Sequence, residues 1–411
     1  MQLLCGAIRT YAWGSRTAIA EFTGRPAPAA HPEAELWLGA HPGDPALLET
    51  PDGGRISLLE AIRTDPEGEL GATVRARFGD VLPFLVKVIA ADEPLSLQAH
   101  PSAQQACEGF EREDRLGLPV NSPERNYRDR NHKPELLVAL TDFAALAGFR
   151  PAARTVSLMR ALEVPSLEPY IALLTDQSDS AGLRALLTTW ITAPQPDLDA
   201  LIPAVLQGAI AYIRSGATEF AAEARVVLEL GELYPGDAGA LAAMLLNLVR
   251  LKPGEGIFLA AGNLHSYLHG VGMEVMANSD NVLRGGLTPK HVDVPELLRV
   301  LDFAPVADAR ADTVREGVEI VYDTPAQEFA ASVLTLDGED LGREIAVPSR
   351  HDGPQILVCV EGSVVVRAGS GADSGEVRLD RGASAWVSAD DGPIRVRADE
   401  PSRVFRATVG L

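Results

Sequence analysis

The chain has 411 residues, more than one hydrophobic core ordinarily supports, and its 46% hydrophobic and 23% charged residues suit a soluble globular protein of two or three domains. A formal net charge of -21 excludes general affinity for nucleic acid or anionic membrane, since both demand a positive face; an anionic substrate must therefore meet a local basic pocket. Cys5, Cys107 and Cys359 are far apart and odd in number, which fits a reducing compartment and neither a disulfide framework nor a thiolate zinc cluster. The N-terminus lacks a basic segment followed by a long apolar run, and no stretch approaches the roughly 18 to 20 apolar residues that span a bilayer, so a cytoplasmic protein is expected.

From residue 1 to about 145 the text is strand-like runs broken by Gly, Pro and Asp, as in AELWLGAHPGDPALLETPDGG, which suggests a sandwich or barrel. Within it, PLSLQAHPS alternates Ser96, Gln98 and His100 with Leu95, Leu97 and Ala99, so an extended chain puts the three polar side chains on one face. A solvent-facing row is the plainer explanation. Surface rows, however, are usually charged or rich in Ser and Thr, whereas Gln-x-His offers two neutral donors of the metal-binding type. Between roughly 151 and 250, segments such as LDALIPAVLQGAIAYIRSG repeat apolar residues at three- and four-residue intervals and predict helices. KPGEGIFLAAGNLHSYLHGVGMEVMANSDNVLRGGL returns to short alternating runs rich in glycine, and HVDVPELLRVLDF reads as one closing helix. The last hundred residues, with PQILVCVEGSVVVRAGSG, are β-branched runs between turns. The expected organisation is mainly β with an α-helical insertion: a catalytic β-domain from 1–150 and 251–310, a helical domain at 151–250 inserted into it, and a second β-domain at 311–411.

Two further places give the polar row meaning. RNHKPELLVAL offers His132, Lys133 and Glu135, and GNLHSYLHG offers His265 and His269. A carboxylate, two histidines and an amide oxygen on separate strands of a closed β-domain would make a mononuclear site with N and O ligands and an open position. Taken singly, His265 is more simply a hydrogen-bonded core histidine, and Glu135 a carboxylate at an element end.

The set YAWGS, ELWLGAHP, PFLVKVIAADEPLSLQAHP, NHKPE and AAGNLHSYLHGVGMEVMANSDNVLRGGLTPKH resembles type I mannose-6-phosphate isomerase, the zinc-dependent phosphomannose isomerase family of the cupin superfamily, from about residue 9 to 302. The resemblance implies two cupin-type jelly-roll β-domains, one Zn2+ per chain, and interconversion of mannose 6-phosphate and fructose 6-phosphate through a zinc-stabilised cis-enediol(ate). It places the zinc ligands on Gln98, His100, Glu135 and His265, and the catalytic arginine on Arg284. Lys87, Ser96 and Lys290 fall around the phosphate, with Asp280 and Tyr267 also on the substrate. His41, His132, His269 and His291 lack the ligand register and are expected to pack around the site.

Isomerising an aldose to a ketose needs a Lewis acid on the carbonyl and hydroxyl oxygens and a base that moves a proton between C2 and C1. Glu274, Lys133 and His132 are candidates for the base, unranked by the sequence; the plainer role for Glu274 is a salt bridge with Arg284. Lys87 sits in the apolar strand FLVKVIA, where a lysine is costly to bury without an anionic partner. RNYRDRNHK adds Arg125, Arg128 and Arg130, which could equally be a solvated loop. The C-terminal β-domain contains one histidine, His351, and no ligand pattern, so a structural or lid-forming role is expected. Rival readings are a non-haem iron oxygenase, whose ligands usually come from a compact His-x-Asp/Glu motif, and a non-enzymatic sugar-binding cupin, which leaves Lys133, Glu274 and Arg284 without a purpose.

Overall fold

The computed structural model describes residues 1–50, 52–177, 179–348, 352–369 and 375–411; His351 lies outside them. Among the described residues the strands form three sheets, of ten, nine and four strands, with helices on their flanks. No helix among them is long and apolar enough to cross a membrane.

The ten-stranded sheet is organised around one long strand, His265–Ala277. It pairs antiparallel with Phe84–Ala91 and Glu135–Ala139 through its second half, and with Phe143–Phe149 and the short strand Leu97–Ala99 through its first. The halves diverge at a bulge between Tyr267 and His269 and at Gly270, whose φ is 122°. A Cβ there would come within 2.7 Å of the Asp142 carbonyl oxygen, so only glycine lets this strand bend and serve both groups of neighbours.

Helices fill Ala152–Ala161 to Ala243–Leu245, and the sheet resumes at Leu246–Leu251. That strand pairs antiparallel with Phe143–Phe149, so the chain leaves and re-enters the sheet at adjacent positions. Leu97 and Ala99 bury their side chains in the same apolar cluster as the helices, around Trp190, Leu201 and Leu230. The alternation of the PLSLQAHPS row therefore has two causes: its apolar face is covered by the helical block, and its polar face is left for the interior of the sheet.

One expectation needs correction. The first 145 residues are less purely β than their text suggests: Leu58–Thr64, Pro66–Leu70, Ala72–Phe78 and Ala103–Arg115 are helices. Their start signals are ordinary, Ser57 and Asp65 accepting from the amides of Glu60 and Gly68 and Ser102 forming a reciprocal cap with Gln105. The first three are too short for a periodic apolar stripe to stand out from strand alternation. The C-terminal β-region is also tied to the start of the chain. Gln2–Cys5 pairs on one side with Ser384–Val387 and on the other with Leu47–Glu49, so the chain's first strand lies in the nine-stranded sheet that runs through residues 313–408. Leu4, Phe84, Val86, Trp386 and Phe405 belong to one core cluster, which makes the two β-regions continuous in their packing.

Candidate metal centre and substrate cavity

The strand Leu97–Ala99 lies between His265 and Arg284: Gln98 is the register partner of both. One step on, His100 is fully buried, as are Glu135 at the start of its strand and His265 at the start of the long one. Among the described residues, His100, Glu135 and His265 are the group able to hold a metal ion, with donor atoms all within 4.8 Å of one another. Glu135 bridges the imidazoles, its Oε1 3.3 Å from His100 Nε2 and its Oε2 3.5 Å from His265 Nε2.

Each imidazole is oriented from behind. His100 Nδ1 is 2.8 Å from the carbonyl oxygen of Asn281 and His265 Nδ1 is 3.0 Å from that of Asn263. A carbonyl can only accept, so both Nδ1 atoms carry the proton and both Nε2 atoms present a lone pair to the centre. His100 Nε2 is buried with no hydrogen-bond partner, a lone pair that the protein alone leaves unused. Burial lowers the His100 pKa to about 4, only partly opposed by Glu135, so the ring is neutral near pH 7. Glu135 goes the other way: burial raises its pKa, but the neighbouring Lys133 ammonium, ahead of the two histidines beside it, outweighs that and holds it well below the usual carboxylate range. Lys133 Nζ stands 3.0 Å from Glu135 Oε1. The amide nitrogen of Gln98 donates to Ser96 Oγ at 3.2 Å, and among the described residues the amide oxygen has no donor. Two imidazoles, which bind a metal only in their neutral form, with a carboxylate and an amide oxygen are a donor set that suits zinc and would keep a net positive charge once the ion is counted.

Beyond this group, the acidic and basic side chains segregate. Lys87 and Glu274 are cross-strand partners with 3.2 Å between Nζ and Oε2, and Glu35 lies 3.9 Å from the same ammonium. Burial disfavours the Lys87 charge, yet Glu35, Glu274 and Glu135 together raise its pKa. Tyr267 donates its hydroxyl to Glu274 Oε1 at 2.8 Å. Desolvation raises the Glu274 pKa, opposed mainly by Lys87. The salt bridge weighed for Glu274 with Arg284 does not form; its cation is Lys87.

Arg284, Arg128 and Lys290 form the complementary cluster. No carboxylate among the described residues pairs with any of the three, and burial followed by their mutual repulsion lowers the pKa values of Arg284 and Lys290. The other arginines of RNYRDRNHK are committed elsewhere: Arg125 is buried against Asp114 and Glu113, and Arg130 pairs with Glu111. Asp280 lies at the rim, 3.4 Å from His41 Nε2 and lowered in pKa first by that contact. It shares with Arg128, His41, His132 and Val120 a cavity of about 610 Å³ whose lining includes none of the three ligand candidates. His132 and His269 pair with Glu328 and Glu229.

Three participants had gone unremarked. Glu35 opens ELWL, a strand buried at every position; an acidic residue sharing a face with Trp37, the register partner of Lys87, was a readable signal. Asn281, fully buried, and Glu328, from the C-terminal β-region, carry none, because their partners are distant in sequence.

A model of the type I phosphomannose isomerase catalytic domain matches residues 1–152. The chain is 38% identical over 400 residues to the mannose-6-phosphate isomerase of Escherichia coli, covering 97% of each, and 31% identical over 434 residues to that of Homo sapiens, covering 98% of this chain and 96% of the relative. A solved mannose 6-phosphate isomerase from Salmonella typhimurium, bound to fructose 6-phosphate and zinc, superposes with a TM-score of 0.88 at 36% identity over the whole of both chains.

Proposed function

The chain belongs to the type I phosphomannose isomerases, and from that premise we propose how its residues interconvert mannose 6-phosphate and fructose 6-phosphate with zinc as cofactor. The observation that carries the proposal is the convergence of the His100 and His265 Nε2 atoms on the Glu135 carboxylate, in a buried place near three cations that, among the described residues, have no carboxylate partner. His100, Glu135 and His265 would hold the ion, with Gln98 completing the set. Zinc, when bound, supplies a Lewis acid to the carbonyl and hydroxyl oxygens of the sugar.

Lys133 keeps Glu135 ionised. Glu274 moves the proton between C2 and C1, since burial lifts its proton affinity toward the working range and Tyr267 and Lys87 fix its two oxygens. Arg284, flanking Gln98 in register, stabilises negative charge that builds on the sugar oxygens. Arg128, Lys290 and Ser96 receive the phosphate, and Asp280 a sugar hydroxyl at the rim. Lys87, first expected at the phosphate, is assigned instead to Glu274 and Glu35, because two carboxylates already satisfy it and would repel an anion. An iron oxygenase or a non-catalytic sugar binder is not favoured, given relatives named mannose-6-phosphate isomerase along the full chain.

We assign the catalytic unit to residues 1–150 with 251–310, the helical domain to 151–250 and the second β-domain to 311–411, both β-domains being jelly rolls of the cupin type. The long bent strand and the two packed sheets of the C-terminal region support that reading. Three unpaired cysteines support a cytoplasmic setting.

The test is metal analysis with turnover on mannose 6-phosphate. The purified chain should hold one zinc, lose activity on chelation and regain it on reloading; His100→Ala and His265→Ala should each lose most of the metal. A variant of either histidine retaining full zinc and full activity would remove the ligand assignment.

A further inference from the structure

Asn281 carries no charge and would touch neither substrate nor metal, yet it has more partners than any of the residues that would. It is fully buried. Its Oδ1 accepts from the amides of Arg128 at 2.7 Å and Asp129 at 3.2 Å, and its Nδ2 donates to the carbonyl oxygens of Asp129 and Asn131, both at 2.9 Å. Two amides on one side and two carbonyls on the other fix the orientation of the side-chain amide without ambiguity. The backbone carbonyl of the same residue receives His100 Nδ1 at 2.8 Å. Asp129 reciprocates, its Oδ1 accepting from Ser279 Oγ at 2.8 Å and its Oδ2 from the Asp280 amide at 2.7 Å.

The consequence is a clasp between two loops that meet nowhere in the sequence. Residues 128–135 carry Arg128, Lys133 and Glu135; residues 279–284 carry Asp280 and Arg284. Asn281 joins them and, through its carbonyl, sets the proton on the back of a metal ligand. We propose that Asn281 is a positioning residue that locks the His100 imidazole and the Arg128–Glu135 loop into one rigid unit, so that metal affinity and anion binding are set together rather than separately. The inference rests on the assignment of His100 and Glu135 to zinc and of Arg128 to phosphate. Groups behind a ligand are commonly worth about 10- to 100-fold in metal affinity when removed; the clasp stands directly behind one ligand, His100, and holds the start of the loop that leads to a second, Glu135.

The experiment compares wild type, Asn281→Ala and Asp129→Asn, the last being isosteric and so the variant that decides if Asn281→Ala fails to fold. Zinc dissociation constants come from chelator competition without turnover, and KM and kcat for mannose 6-phosphate are taken at saturating zinc. A control lowered in Tm by a remote change, Leu201→Ala in the helical block, calibrates loss of stability alone. The expected result is zinc binding weakened by about 10- to 100-fold together with a raised KM in the clasp variants, and neither change in the control. Folded clasp variants that lose Tm but keep wild-type zinc affinity and KM would overturn the proposal, leaving Asn281 a structural residue. Failure of the wild type itself to bind zinc or turn over would instead count against the ligand assignment.

Discussion

The cations around the candidate site differ in what already neutralises them, and that difference predicts their kinetics. Arg284 is half-buried, pairs with no carboxylate among the described residues and flanks Gln98 in register, so its charge is available to the reacting oxygens. If it meets charge that develops only in the transition state, Arg284→Ala should lower kcat by about two to three orders of magnitude with little change in KM. Lys290→Ala and Arg128→Ala should chiefly raise KM, because phosphate is bound in ground and transition states alike. Steady-state kinetics on mannose 6-phosphate decides, and the reverse ordering would exchange the two roles. Lys87 is predicted to follow neither pattern. Its removal strands Glu35 and Glu274 in the interior without their shared cation, so Lys87→Ala should lower thermal stability and kcat together. That distinction was hidden in the sequence, where a lysine in an apolar strand signals only that some anionic partner exists. Which anion it meets depends on Glu35 and Glu274, brought alongside by two different strand pairings.

At the scale of the element, the bend in His265–Ala277 decides whether the half that carries His265 and the half that carries Glu274 share one strand. Gly270 adopts φ 122°, and a side chain there meets Asp142 and Phe143. Gly270→Ala should cost upward of about 1–3 kcal/mol in urea unfolding, from backbone strain plus the collision. Gly216→Ala is the matched comparison: it also has positive φ, 79°, but nothing within 4 Å of the added methyl, so it should show strain alone and a smaller loss. Equal losses at the two positions would mean that the collision at Gly270 is relieved by a small shift and that the bend does not depend on glycine. Glycine-rich text around HGVGM announced irregularity in this strand, but only the pairing partners reveal that Gly270 is where it changes neighbours.

At the scale of the whole molecule, the N-terminal strand stitches the two β-regions together. Deleting residues 1–5 should leave Ser384–Val387 and Leu47–Glu49 with bare edges and open one side of the shared core at Leu4. The expected outcome is a lower Tm with concentration-dependent aggregation in light scattering; an unchanged melting curve would show that this strand is dispensable. The sequence by itself determined what is local or carried by motif: the helical block between two β segments and the alternation of Ser96, Gln98 and His100, which depend on periodicity within a few positions, while His100, Glu135 and His265, the group that could hold a metal ion, were marked by the family resemblance rather than by any one stretch. Only the tertiary structure decided that Gln2–Cys5 belongs with the last strands, that Lys87 faces carboxylates while Arg128 pairs with none among the described residues, and that Asn281 reaches His100 and Glu328 reaches His132. Those facts depend on sheet register and on contacts between residues roughly 150 to 400 positions apart, which are fixed by the packing of the whole chain and leave no trace in any one stretch of it.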